Sequence, residues 1–141
     1  MGDGPAGPGV RSGAMASQGS AVAGAEVRYL QVQTTTDSRA EAMDLARAAV
    51  EARLAACAQV AGPVASTYWW DDGLERAEEW LLILKLPSDR YQELAEFLTQ
   101  RHSYDEPEII ATAIVAGSPA YLGWIDEETR PSVTAGDDAA E

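Results

Sequence analysis

The only histidine of the chain, His102, lies beside a phenol and several carboxylates in the segment 102–110. Imidazole changes charge near neutral pH and is a common ligand of zinc and copper. Cys57, the only cysteine, offers a soft sulfur ligand, and Glu108 offers a carboxylate oxygen near the histidine. These residue types predict weak binding of copper or another divalent metal ion by His102, Cys57 and Glu108, with no obligatory cofactor.

Each of these side chains also has a structural alternative. Cys57 follows a run of alanines at a helix end, where a small core residue is common. His102 follows the second predicted helix, where a ring nitrogen can meet unsatisfied carbonyls. The chain has no CxxC or HxxxH motif, so one subunit is not expected to close a tetrahedral site. A nucleophilic pair of Cys57 and His102 would need an electropositive setting and an oxyanion hole, which the sequence does not supply, so we predict that the protein is not an enzyme.

Composition limits the partners and the compartment. The chain has 10 Lys and Arg against 23 Asp and Glu, a formal net charge of −13. Nucleic acids and anionic membranes are bound by clustered basic residues, so neither is predicted as a partner. A single cysteine cannot form an internal disulfide, and no secretory signal pattern is seen, which predicts a cytoplasmic protein. The apolar run 80–84 is too short to span a membrane.

The pattern along the chain predicts one folded domain between two polar ends. Residues 1–25 are rich in Gly, Ala and Ser and are predicted to be a disordered arm. Residues 130–141 are predicted to be an acidic tail, which leaves 26–129 as the domain. Periodicity and turn signals within it predict, in order, a strand over 27–34, a helix from the capping-box pattern 38–41 to Ala56, strands over 59–70 and 76–86, a helix after 87–89, a strand over 109–115 and a helix from Ser118-Pro119.

This order, β-α-β-β-α-β with an added helix, predicts an α+β ferredoxin-like sandwich in which two helices cover a four-stranded antiparallel sheet. The hairpin turns at 71–73 and is longer than the other strands require, and its first strand is interrupted at Gly62-Pro63. Tyr68, Trp69 and Trp70 end that strand, and their exposure in a monomer would be unfavourable. We therefore predict that the extended hairpin pairs with other copies of the chain in a homo-oligomer.

A pocket between subunits is also predicted at this surface. Lys85, the only lysine, shares a strand face with Glu79, so it is a candidate anchor for an anionic group. An ion pair between subunits is the structural alternative for Lys85, and aromatic side chains at such positions often form interface core. The residues predicted to line the pocket are Tyr68, Trp70, Lys85, Tyr104 and Trp124.

Several separated motifs resemble the CutA divalent-cation tolerance proteins. They are 53–57 (Arg-Leu-Ala-Ala-Cys), 68–70 (Tyr-Trp-Trp), 78–85 (Glu-Glu-Trp-Leu-Leu-Ile-Leu-Lys), His102 with Tyr104 and 107–110, and 121–124 (Tyr-Leu-Gly-Trp). The resemblance implies a cytosolic homotrimer with a link to copper or other divalent cations. The sequence departs from the family pattern at Ser103, where proline usually follows the histidine. This departure is expected to loosen the loop that holds His102. The alternative to cation tolerance is a small-ligand sensor or interaction module that resembles the PII signalling proteins and binds between subunits.

Overall fold

The computed structural model describes residues 26–131. The predicted arm at 1–25 and all but the first two residues of the predicted tail lie outside this range. The elements within it are β1 (Tyr29–Thr36), α1 (Arg39–Glu51), β2 (Cys57–Trp70), β3 (Gly73–Pro87), a 3-10 turn (Ser88–Arg90), α2 (Tyr91–Arg101), β4 (Ile110–Ala113) and α3 (Pro119–Glu128).

The four strands form one antiparallel sheet in the order β2-β3-β1-β4. This order, with α1 and α2 on one face, confirms the predicted ferredoxin-like sandwich. The core lies between the sheet and these helices and includes Val32, Leu82, Leu84 and Leu86 from the sheet with Leu45, Ala49, Leu94 and Leu98 from the helices. The other face of the sheet, which we call the second face, is partly covered by α3, because the Tyr29 hydroxyl donates to Asp126.

The first helix ends earlier than predicted. Its start agrees with the sequence pattern, since the Ser38 side chain accepts a hydrogen bond from the Glu41 N–H at 3.0 Å. The helix was expected to reach Ala56 but ends at Glu51, and Arg53 takes a left-handed conformation with φ 62°. The physical reason is a tertiary contact. The Ala56 N–H donates to the carbonyl of Lys85 on β3 at 2.9 Å, so the chain must already run beside the sheet at this residue.

The hairpin of β2 and β3 extends past the rest of the sheet. Of the β3 residues that pair with β1, Trp80 is the nearest to the hairpin tip, so residues 73–79 pair only with β2. A register shift between Ala61 and Val64 confirms the predicted break in β2. At the tip, Asp71 and Asp72 both have positive φ, as a two-residue type I′ turn requires.

Gly62 is required at the register shift for two reasons. Its φ is 153°, which side-chain-bearing residues rarely adopt, and a Cβ built on it would lie 2.8 Å from the ring of Trp80. The close approach lets the Trp80 ring cover the strand at the point where the hairpin leaves the sheet.

Of the two C-terminal elements, β4 is shorter than predicted and α3 is found where it was predicted. β4 covers only Ile110–Ala113 of the expected 109–115, and all four residues are exposed. α3 begins after Ser118 with proline in its first turn, as predicted, although the serine side chain makes no capping hydrogen bond. No helix between residues 26 and 131 is long and apolar enough to cross a membrane.

Candidate functional site

His102 lies at the C-terminal cap of α2, and its side chain is fully buried beside the end of β1. Nε2 donates to the carbonyl of Thr35 at 2.8 Å and lies 3.1 Å from the Thr34 hydroxyl. Nδ1 accepts the N–H of Tyr104 at 3.1 Å. An N–H can only donate and a carbonyl can only accept, so this network assigns a neutral imidazole with its proton on Nε2. Both ring nitrogens are therefore occupied inside the subunit.

The residue after the histidine fastens this loop to α1. The backbone N–H and the hydroxyl of Ser103 donate to the two carboxylate oxygens of Glu41 at 2.9 and 2.8 Å. The same carboxylate lies 3.7 Å from Nδ1 of His102. The expectation that Ser103 loosens the loop was wrong, because a proline here could make neither bond. The bonds to Ser103 also explain why Glu41 does not complete the predicted capping box, since its side chain points to the loop and not to the start of α1.

A second polar group lies around Glu79, which is fully buried on β3. The Tyr104 hydroxyl donates to Oε2 of Glu79 at 2.7 Å, whereas Oε1 has no hydrogen-bond partner among the described residues. Burial, together with the hydrogen bond to this carboxylate, raises the pKa of Tyr104 far above its usual range. The loop that begins at His102 thus reaches around the end of β1 and contacts the second face through Tyr104.

Thr35 and Tyr68 also belong to this group. We call the four residues Thr35, Tyr68, Glu79 and Tyr104 the Glu79 cluster. Thr35 lies opposite Leu81 on the same face of the sheet as Glu79, and its hydroxyl is buried without a partner in the described part of the chain. Burial raises the pKa of Tyr68, and the negative charge of Glu79 raises it further. A buried carboxylate, two phenols and an unpaired hydroxyl are therefore close together.

The predicted metal ligands do not meet in one subunit. Cys57 pairs with Lys85, which pairs with Gln31, while His102 contacts β1 four residues further along. Four strand residues span about 13 Å. Glu108 accepts a hydrogen bond from the amide of Gln33 at 2.9 Å.

No group of three or more histidine, cysteine or carboxylate side chains that could hold a metal ion occurs within 26–131. The residues of a single subunit therefore do not fit a closed metal site. The role of His102, Cys57 and Glu108 as ligands stays a prediction.

The predicted pocket residues fall into separate places in one subunit. Only Tyr68 and Tyr104 lie together, in the Glu79 cluster. Lys85 donates to the side-chain oxygen of Gln59 at 2.8 Å at the other end of β3. Trp70 is at the hairpin tip, and the Trp124 ring on α3 lies 5.5 Å from that of Tyr121. The predicted pocket was one between subunits, so this separation leaves the prediction untested.

Sequence reasoning did not include Glu41 or Thr35 among the candidate residues, and it noted Glu79 only as a charge on the strand of Lys85. A signal existed for Glu79, since it alternates with Leu81 and Ile83 and therefore shares their face. No comparable signal marks Glu41, whose partner Ser103 is 62 residues away in the chain.

Comparison with known proteins places these features in a family. The family model described as CutA1 divalent ion tolerance protein matches residues 30–128. CutA of Thermus thermophilus, a divalent-cation tolerance protein, is 36% identical over 98 residues that cover 70% of this chain and 95% of that protein. The chloroplastic CutA of Arabidopsis thaliana is 35% identical over 74% of this chain but 57% of its own length. The chain therefore spans less than two thirds of some relatives.

Solved structures agree with this assignment. CutA1 from Oryza sativa superimposes with a TM-score of 0.72 at 33% identity, covering 75% of this chain and 97% of that one. The structure described as the periplasmic divalent cation tolerance protein CutA from Archaeoglobus fulgidus gives 0.70 at 33% identity, covering 72% and 99%. The resemblance seen in the sequence motifs is confirmed, and the chain belongs to the CutA1 divalent ion tolerance protein family.

Proposed function

We propose that this protein contributes to divalent-cation tolerance in the cytoplasm as a homotrimer that binds copper or another divalent ion weakly and catalyses no reaction. Family membership supports the tolerance function. The names of relatives include chloroplastic and periplasmic proteins, so the cytoplasmic part rests on the sequence alone.

The observation that carries the assembly is the hairpin beyond Trp80. It exposes 73% of Trp69 and 62% of Leu74, and Trp70 is also exposed. β2 is an edge strand of the sheet along its whole length, and β4 is a second edge. Large exposed apolar side chains next to unpaired strand edges favour pairing with another copy. The number three is taken from the family resemblance.

The weakness of cation binding follows from the ligands. His102 must give up a hydrogen bond to Thr35 or to Tyr104 before either nitrogen can coordinate a metal ion. Cys57 is half-buried, and Glu108 already accepts from Gln33. Within one subunit, each of these side chains would therefore bind a metal ion without help from the other two. Surface carboxylates without a fixed geometry bind divalent ions loosely. The net charge of −13 adds a general attraction for cations.

Light scattering tests the assembly. We expect a mass of three times 15.0 kDa for the parent chain. Trp70→Ala should dissociate or destabilise the assembly by about 2–4 kcal/mol, the scale of an interface hot spot. Met43→Ala, which removes another exposed apolar side chain but from α1, is the control and should keep the parent mass. A monomeric parent would overturn the proposed assembly.

Calorimetric titration with Cu(II) and Zn(II) tests the cation binding. The affinity should be weak, and it should fall with pH as protons compete for imidazole and carboxylate. His102→Gln and Glu108→Gln should each reduce it, and Cys57→Ala should matter more for Cu(I) than for Zn(II). If the parent shows no binding heat with any of these ions, direct metal binding is excluded and the tolerance function acts through another partner.

The PII-like sensor is not favoured by the hairpin. Such a sensor would need a long mobile loop between the two strands and a basic cradle for phosphate. The turn here consists of only two residues, Asp71 and Asp72, and both are acidic.

A further inference from the structure

The second face of the sheet holds a carboxylate oxygen with no partner. Glu79 lies where β3 leaves the sheet, next to Trp80 and opposite Val64 of β2. The side chain is fully buried, yet among residues 26–131 only the Tyr104 hydroxyl donates to it. Its Oε1 atom has no donor in that range.

One neutral donor is too little for a buried carboxylate. The group has about four lone-pair positions, and its charge loses the solvation of water when it is buried. Buried carboxylates are normally paired with a cation or accept several N–H groups. The cationic groups whose contacts are seen are engaged elsewhere: Arg47 with Glu51, Arg53 with Glu128, Arg90 with Glu93, Lys85 with Gln59 and Arg101 with the Phe97 ring.

A second acceptor lies beside the first. The Thr35 hydroxyl is buried without a partner, on the strand next to Glu79 and on the same face. Because Thr35 pairs with Leu81, the two side chains are diagonal neighbours, whose Cα atoms lie roughly 7–8 Å apart in an antiparallel pair. A small polar group placed between them can contact both oxygens.

Aromatic rings complete the surroundings. Tyr68 and Tyr104 border the carboxylate, and aromatic rings favour a neighbouring cation over an anion. Calcium and magnesium suit the site poorly, because they need six or more oxygen ligands. Tyr68 is only half-buried, so the site is partly exposed on this side.

We propose that Glu79 Oε1 and Thr35 Oγ1 form a buried acceptor site for a cationic N–H donor, an ammonium or a guanidinium group. The donor comes either from a lysine or arginine of a second copy or from a small free amine. The inference concerns neither a metal ion nor the tolerance function, so it stands or falls independently of both.

Thermal unfolding of the full chain in methylammonium chloride tests the free-amine source. Tetramethylammonium chloride at equal concentration is the control salt, because it carries the same charge but no N–H. If a free amine is the donor, methylammonium should raise the melting temperature of the parent above the value in the control salt by about 4 °C or more. Glu79→Gln and Thr35→Val should each abolish the difference, whereas Glu78→Gln, an exposed neighbour on the opposite face, should keep it.

The second-copy source gives a different pattern. The two salts then act alike, and Glu79→Gln lowers the assembled mass or the melting temperature in a way that depends on protein concentration. Thr35→Val does the same to a smaller extent, and Glu78→Gln does not. Replacing each lysine and arginine by methionine in turn should identify one variant that loses as much stability as Glu79→Gln. Combining that variant with Glu79→Gln should cause no further loss of stability.

One result overturns both sources. A buried carboxylate that truly has no cationic donor is costly, so its neutral replacement should leave the protein equally stable or make it more stable. If the parent melts at the same temperature in the two salts, and Glu79→Gln keeps the parent mass and melts at or above the parent temperature at every protein concentration, the site does not bind a cationic donor. A monomeric parent would refute the trimer, while the methylammonium comparison could still be scored.

Discussion

Two polar groups flank the end of β1, and they differ in how fully their hydrogen bonds are satisfied. On the helix-covered face, both nitrogens of His102 have partners, and Ser103 is bound to Glu41. On the second face, Glu79 has one donor and one unpaired oxygen. Tyr104 belongs to both, since its N–H serves the histidine and its hydroxyl serves the carboxylate. The comparison teaches that an unusual residue in the sequence need not be the one open to a ligand.

The largest expected loss of stability comes from removing the histidine ring. His102→Ala leaves a cavity and deprives the Tyr104 N–H of its acceptor, so we expect a loss of about 3–5 kcal/mol in the free energy of unfolding. Urea unfolding at fixed protein concentration measures it. His102→Gln is the control, because it restores a donor and an acceptor and should lose less. A loss below about 1 kcal/mol for His102→Ala would contradict the structural role.

The link between the two groups is tested at the phenol. Tyr104→Phe removes the only donor to Glu79 within the described chain, and an unpaired buried acceptor costs about 1–3 kcal/mol. The measurement is again urea unfolding.

A double-mutant cycle sharpens this test. The cost of Tyr104→Phe should be smaller when Glu79 is already replaced by glutamine, because an unpaired neutral amide is less costly than an unpaired carboxylate. Costs that simply add would mean that the two side chains do not interact.

Alkaline pH probes the same hydroxyl without a mutation. Burial and Glu79 raise the pKa of Tyr104 above the value of about 10 in the unfolded chain. The stability from the neutral phenol is therefore complete below about pH 10 and is lost as the pH rises toward the folded pKa. We expect the free energy of unfolding to fall by up to about 1.4 kcal/mol per pH unit from this group.

The comparison that checks the assignment uses Tyr104→Phe at the same series of pH values. The slope should be shallower in the variant, although Tyr68 and Tyr29 also have raised pKa values and keep part of it. An unchanged slope would assign the alkaline loss to other groups.

The smallest expected effect concerns the loop anchor. Ser103→Ala removes the hydroxyl bond to Glu41 but keeps the backbone bond, so we expect a loss of about 0.5–1.5 kcal/mol. Ser103→Pro removes both and should lose more. Thermal unfolding measures the two, with Thr99→Ala, whose hydroxyl bonds only within α2, as the control. Equal stability of parent and Ser103→Pro would show that the loop needs no anchor.

Much of the fold was predictable because its signals are local. The capping serine at 38, the turn at 71–72 and the break near Gly62 each depend on neighbouring residues, and all three are confirmed. The end of α1 was not predictable, because residues 52–56 favour a helix and only their position beside β3 ends it.

The candidate site was less predictable because its contacts join distant parts of the chain. His102 was expected to serve either as a ligand or as a cap, and its ring does meet a carbonyl, but that of Thr35 rather than one of α2. The burial of Glu79 depends on Tyr104, 25 residues away, and on the path of a loop with no periodicity.

The register shift near Gly62 has a consequence for insertions and deletions. Before it, alternate residues starting at Cys57 lie on the face of Lys85, and after it the residues on the face of Glu79 are Val64, Tyr68 and their alternates. The extra residue therefore exchanges odd for even positions. Deleting one residue there would remove the bulge and leave Tyr68 on the face of Glu79, because its pairing with Glu75 is set by its distance from the turn at 71–72. The identity of the aromatic side chain beside the carboxylate is therefore determined by the spacing between the turn and Tyr68, and the register shift is what lets the strand before Gly62 keep its own alternation.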